Sequence, residues 1–319
     1  MLPLQSTLIS IIINGLQQGA IFALLGIGLT IVLGTMKFLN LAHGALYLVG
    51  AYIGMLFSVQ RSLADGTLYN LGYTTVGLKA TEATVFGVTV NLNFLLAMVM
   101  VPLIVFGIGM LMERFVARPF YDRPETGQLL VTFGLALVVQ EIIRALFGPT
   151  TFQAYQPVQG TIAGIVSLWR ITIIGISLVL IAATYLMIEK TDFGLVVRAG
   201  TEDSEMVRLL GIPITRSYSL VFALGAALAA FAGLIGASFQ TVSPPIGTER
   251  ALVPAFLTIV VGGAGSVVGA IAGGMVLGFV FAGFQQLAPQ WSSIVLFGSV
   301  AVVILTRPEG LFGSAEVST

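Results

Sequence analysis

Polar residues interrupt an otherwise apolar chain at a few places, and each could do a particular chemistry. Asn14 and Gln18 stand one helical turn apart, beside Gln17, inside a long apolar run. Residues four apart share a helix face. These amides can therefore hydrogen-bond a polar solute, or hold a neighbouring helix, the commoner use of such groups in lipid. Asn40 and His43 lie in Asn40-Leu41-Ala42-His43-Gly44, just after Gly34-Thr35-Met36-Lys37 breaks the apolar run. Polar groups in a membrane turn toward the bundle interior, and such a break can bring a helix N-terminus to a substrate path. The residues alone favour a short interhelical turn near the cytoplasmic face, with Asn40 as a cap and His43 hydrogen-bonded to carbonyls. Gln140, Glu141 and Arg144 sit near a span's outer end, where Glu141 and Arg144 are spaced to pair. This is the chemistry of binding and passage, not of bond-making. There is no cysteine and one histidine, which excludes thiolate, disulfide, iron–sulfur and histidine-rich metal sites. No Lys-Ser or Lys-Thr pair follows a glycine cluster, so no Walker nucleotide site is present.

The elements that carry these residues follow from composition. Of 319 residues, 57% are hydrophobic and 9% charged, and 14 Lys plus Arg balance 14 Asp plus Glu. A soluble domain is about 25% charged, so a soluble enzyme, a disordered chain and a nucleic-acid binder are excluded. The composition predicts an all-α, polytopic transmembrane bundle. Apolar runs cover Leu8–Leu33, Phe38–Val59, Leu92–Met112, Gln128–Phe147, Ile171–Ile188, Ser217–Ser238, Ala251–Phe284 and Trp291–Leu305. At about 20 residues per crossing, these make about eight or nine spans, with broken or short helices near 34–44 and 262–266. Gly15, Gly19, Gly26, Gly28 and Gly34, and the many glycines of 262–278, supply faces on which helices approach closely.

Charge sets the orientation. Arg114, Arg118 and Arg123 lie in one loop, and Lys190, Arg198, Arg208 and Arg216 in another, 189–216. The positive-inside rule places both in the cytoplasm. The loops 59–91 and 239–250, and the N-terminus, are then outside, and Val85–Leu92 alternates like a strand in an extracytoplasmic hairpin. An odd number of crossings must join the outer 239–250 loop to Arg307. Two crossings within Ala251–Phe284, turning at Gly262–Ser266, and one more near Trp291 satisfy this. The one carboxylate within the predicted spans is Glu141.

The loop 189–216 carries a predicted amphipathic helix. Thr201 is its N-cap, Glu202, Asp203 and Glu205 favour the positive end of its dipole, Arg208 lies toward the other end, and Gly211 and Pro213 stop it. Met206, Leu209 and Leu210 are apolar anchors. Acidic residues suit anionic lipid poorly, so a groove on a partner protein fits this helix better than the membrane surface.

The order of these blocks resembles the permease subunits of branched-chain amino-acid ABC importers, the group that includes urea and short-chain amide permeases. The resemblance rests on Asn14-Gly15-Leu16 through Gly34; Phe38–Gly44 with Leu48–Tyr52; Gly194–Ala199 with Leu209–Ile212; Val261–Ala270; and Arg307–Gly313. It implies that 1–319 is one permease domain, paired with a homologous second permease in the cell (inner or plasma) membrane. It also implies two cytoplasmic ATPases docked on Thr201–Ile212, and an extracytoplasmic substrate-binding protein. ATP and magnesium would be bound by the ATPases, with no cofactor in this chain, no enzyme activity and no nucleic acid. Met206-Val207 replaces the usual paired alanines of the coupling signature. The implied cargo is a branched-chain amino acid, with urea or a small amide as the alternative, and Asn14, Gln18, Asn40 and His43 as the substrate path. A gradient-driven transporter or channel is the rival. It lacks the deep carboxylate that proton coupling uses.

Overall fold

The computed structural model describes residues 4–85, 88–121, 123–153, 155–162, 164 and 166–313. The N-terminal tip, the expected hairpin turn at 86–87 and the last residues of the 1–319 domain lie outside these. The helices are α1 (Leu4–Met36), α2 (His43–Ser58), α3 (Thr67–Asn70), α4 (Leu92–Met112), α5 (Glu125–Phe147), α6 (Leu168–Lys190), α7 (Asp192–Glu202), α8 (Ser204–Leu209), α9 (Ile214–Ala237), α10 (Val253–Gly262), α11 (Val267–Leu287) and α12 (Ser292–Thr306). Among the described residues, seven helices are long and apolar enough to cross a membrane, and α2 is a shorter apolar helix. With α10 as a second short segment, the bundle has the predicted all-α, multi-pass form.

An apolar helix buried on every side forms a core, and one with an exposed apolar face meets lipid or a partner. In α1 and α9, 89% and 78% of the most apolar window is buried, against 17% in α5 and α12. So α1 and α9 are the centre. They run antiparallel: Gly200 lies between Thr35, near the end of α1, and Ile214, the start of α9. α1 packs on α10 and α11, and α9 packs on α2 and α4. The succession α1-α2-α4-α5 thus repeats, inverted, as α9-α10-α11-α12. Glycine contacts across the halves are reciprocal. A Cβ on Gly28 would stand 2.9 Å from the Gly225 oxygen, and one on Gly225 2.6 Å from the Gly28 oxygen. Gly44 and Gly247 overlap each other's carbonyls in the same reciprocal way. Such self-complementary contact marks a two-fold relation, here an inverted repeat.

Each half has a break whose backbone groups find partners, as irregular backbone at membrane depth requires. After α1, Leu39 N–H donates to Gln128 Oε1 at 3.2 Å and Leu41 N–H to Thr132 Oγ1 at 3.1 Å, both on α5. Asn40 Oδ1 accepts from Ala42 N–H. Asn40 therefore closes an Asx turn rather than capping α2, whose N-cap residue is Ala42. His43 is fully buried against Gly28, and neither ring nitrogen has a hydrogen-bond partner among the described residues. The ring faces the Leu25 carbonyl of α1, the expected kind of partner, without reaching full hydrogen-bond geometry.

The 239–250 segment is only partly an outer loop. Val242 pairs with Phe152, but Gly247 reaches Gly44 at the N-terminal end of α2. Pro244 and Pro245 cannot continue a helix, and glycine at 247 lets the backbone dip between helices. A π-helical turn, Thr248–Leu252, then leads into α10. The break at Gly262–Ser266 is the predicted turn. Gly263 and Gly265 have φ of 101° and 82°, and the Ser266 side chain accepts from Gly269 N–H. The free carbonyls of Val261 and Gly262 accept from Leu311 and Phe312. The closing block completes the broken helix.

Between α2 and α4, Glu82–Val85 pairs antiparallel with Val88–Asn91, joined by Val158–Gln159. At the opposite end, α4 runs on through a π-helical turn at Glu113–Ala117. Glu113 is fully buried, so Glu141 is not the one carboxylate within the helical spans. Arg118 binds Glu113 with both Nε and an Nη, and Tyr121 and Ser219 hydroxyls also donate to it. Burial first, then the Glu113 hydrogen bond, push the Tyr121 phenol up, so it stays a donor. Arg118 is 39% exposed but Glu113 is fully buried, so removing the arginine strands a buried carboxylate. Arg118→Ala should destabilise the chain by about 3 kcal/mol, read as a lower melting temperature in detergent. Glu113→Leu with Arg118→Leu should recover most of it.

Candidate substrate cavity and coupling segment

A cavity of about 430 Å³ opens between the middle of α1, the start of α6, the 239–250 segment and the outer half of α11. Asn14, Gln17 and Gln18 line it, because their shared face is the one α1 turns to this gap. Arg170, at the start of α6, donates to Asn14 Oδ1. Gln240 Oε1 is buried at the wall with no partner among the described residues. A second cavity of about 300 Å³ adjoins it through Gln18, Glu249, Arg250 and Gln285, and is walled by the apolar Phe22, Val253, Leu296 and Phe297 and by the polar Ser292 and Ser293. Both volumes fall in or near the usual ligand range of about 300–1,000 Å³.

Asn40 and His43 line neither cavity. They build the α2 break further along α1, where His43 meets Gly28, so the structure does not bring them to Asn14 and Gln18. Sequence reading missed Arg170, Gln240, Glu249 and Gln285 as wall residues. It put Arg170, Gln240 and Glu249 in loops and Gln285 at a span end, and only the inward dip of 239–250 collects them. A third cavity, about 170 Å³, lies at the opposite end of the bundle between Thr35, Arg198 and Gly265. Ala23–Leu29 of α1, buried throughout, separate it from the outer pair.

The coupling segment is two helices, not one. Thr191 caps α7 by accepting from Gly194 N–H. Thr201 and Glu202 are the last residues of α7, and Thr201 Oγ1 donates to the Val197 carbonyl. Thr201 is therefore not the N-cap of the helix that follows. Asp203 is, accepting from Glu205 and Met206 N–H at 3.0 and 2.9 Å. The turn before Thr201 already satisfied its backbone, so the break fell where Asp203 takes an extended conformation. On α8 the Met206 side chain is 53% exposed and Leu209 77%, and Leu210 just after is 71% exposed. Gly211 ends the segment with φ of 79°. Arg208 lies in the last turn of α8, where its charge suits the dipole.

The family model described as the branched-chain amino acid transport system permease component matches residues 11–305. The chain belongs to this family. It is 30% identical over 318 residues to the high-affinity branched-chain amino acid transport system permease protein BraD of Pseudomonas aeruginosa, covering 96% of each chain. It is 30% identical over 315 residues to the LivH permease protein of Escherichia coli K12, covering 95% of each. A probable LivH of Methanocaldococcus jannaschii is 25% identical, over 81% of this chain and 75% of that one. No solved structure matches. The permease is thus a multi-pass membrane component of a transport system, not an enzyme. The matched residues take in both cavities, the coupling segment and all the breaks.

Proposed function

We propose that the permease is a membrane-spanning subunit of an ATP-driven ABC importer for branched-chain amino acids in the cell (inner or plasma) membrane. The observation that carries this is the pairing of a polar cavity with one that has an apolar wall at one end, and an exposed apolar helix at the other. An extracytoplasmic binding protein delivers cargo to the outer end, and a homologous second permease packs on the apolar faces of the bundle. Two ATPases, which bind the ATP and magnesium, dock on Thr201–Gly211. ATPase closure then moves α8 and opens the plug at Ala23–Leu29. Asn14 and Gln18 line the path. Asn40 and His43 hold the break that lets the halves move.

The apolar patch of Phe22, Val253, Leu296 and Phe297 in the second cavity supports an aliphatic solute over urea or a small amide. Glu249 at the cavity wall and the buried Glu113 give the gradient-driven rival carboxylates within the bundle. Proteoliposomes holding the assembled complex decide between them. Leucine uptake should need ATP and both ATPases and persist with a protonophore. Uptake by the permease alone that a protonophore abolishes, or uptake of urea but not leucine, would overturn the proposal.

A further inference from the structure

We infer that Glu249 and Arg250 form a selectivity pair for the zwitterionic head group of an α-amino acid. Arg250 takes the carboxylate and Glu249 the ammonium. The inference rests on reading the two outer cavities as the solute path.

Ionisable side chains inside a bundle are expensive and are kept where they bind something. Glu249 and Arg250 are adjacent on the π-helical turn that starts the half-helix α10. Both line the polar cavity and its neighbour, so the pair stands where the two meet. Both side chains are exposed to this space, and neither joins an ion pair among the described residues. The other cation at the polar wall, Arg170, is engaged by Asn14. A solute with one charge of each sign on neighbouring atoms satisfies both residues at once. A neutral amide or a simple carboxylate leaves one charge unpaired. With the head group at this boundary, the side chain lies against Phe22, Leu296 and Phe297, the apolar part of a wall that Gln285, Ser292 and Ser293 complete. Adjacent opposite charges thus select an α-amino acid, and the apolar wall selects an aliphatic one.

The chain has no cysteine, so a single introduced thiol reports on the site. In full-length permease in liposomes, Gln285→Cys, and separately Ser293→Cys, is labelled with a water-soluble thiosulfonate. Leucine should slow labelling, while leucinamide and 4-methylvalerate, each lacking one charge, should not. Adding Arg250→Gln or Glu249→Gln should weaken leucine protection at least about tenfold, as loss of one charge partner does. Arg250→Lys and Glu249→Asp should keep part of it. Equal protection by all three solutes, or leucine protection that survives both neutral variants, overturns the pair. So does an absence of protection at either thiol. Leucine uptake by the assembled complex is measured in parallel. Uptake without protection sinks the pair and leaves the importer reading standing. Absence of uptake sinks the importer reading instead.

Discussion

Leu209→Asp should abolish capture of the proposed ATPase partners, and ATP-driven uptake with it, while the permease still folds. Leu209 is 77% exposed, so the substitution removes little that holds the chain together. Asp203 continues to cap α8 through Glu205 and Met206 N–H. The loss falls on the partner. Burying a leucine is worth about 1.5–3 kcal/mol, and a carboxylate driven into the same pocket adds a desolvation penalty. Together these weaken docking by at least about a hundredfold. Glu205→Lys should act in the same direction by placing a cation at the positive end of the α8 dipole. Co-purification from detergent with unchanged thermal stability reads the effect. ATPases retained by both variants would show that docking lies elsewhere on the cytoplasmic face.

Gly44→Val should collapse the stability of the permease. A Cβ at Gly44 overlaps the carbonyl oxygen of Gly247 and stands 2.8 Å from Leu252 Cβ. The obstacle is backbone, so no rotamer relieves it. Overpacking a core costs about 1–3 kcal/mol where side chains can shift, and more where the two halves of a bundle must separate. Gly247→Ala should act through the same contact from the other side. The double variant should therefore cost less than the sum of the singles. Gly134→Ala, on α5, meets nothing within 4 Å and is the control. Thermal unfolding in detergent separates them. A Gly44→Val chain as stable as Gly134→Ala would mean that the halves do not cross there.

The sequence by itself determined the class, the segments and the ends. Composition allowed nothing but a membrane bundle, because hydration of so few charges cannot keep so much apolar surface in water. The breaks at 34–44 and 262–266 were legible because Gly34-Thr35-Met36-Lys37 and Gly262-Gly263-Ala264-Gly265-Ser266 interrupt apolar runs. The exposed anchors of α8 were legible from Met206, Leu209 and Leu210 beside acidic residues. The tertiary structure alone decided what faces what. A break bonded only to its own chain and one bonded to another helix look alike in sequence, so the use of Gln128 and Thr132 to satisfy Leu39 and Leu41 was hidden. The inverted repeat was hidden too. It is carried by close approaches such as Gly28 to Gly225, whose requirement is small size and not any shared motif. Asn14 and Gln18 reach the cavity while Asn40 and His43 do not, although all are polar groups in apolar surroundings. Local pattern says that a polar side chain must find an interior. Which interior it finds, and whether Glu249 and Arg250 lie in an outer loop or at the heart of the bundle, depends on long-range packing of backbone against backbone. That packing is set by shape over the whole chain and not by any one segment of it.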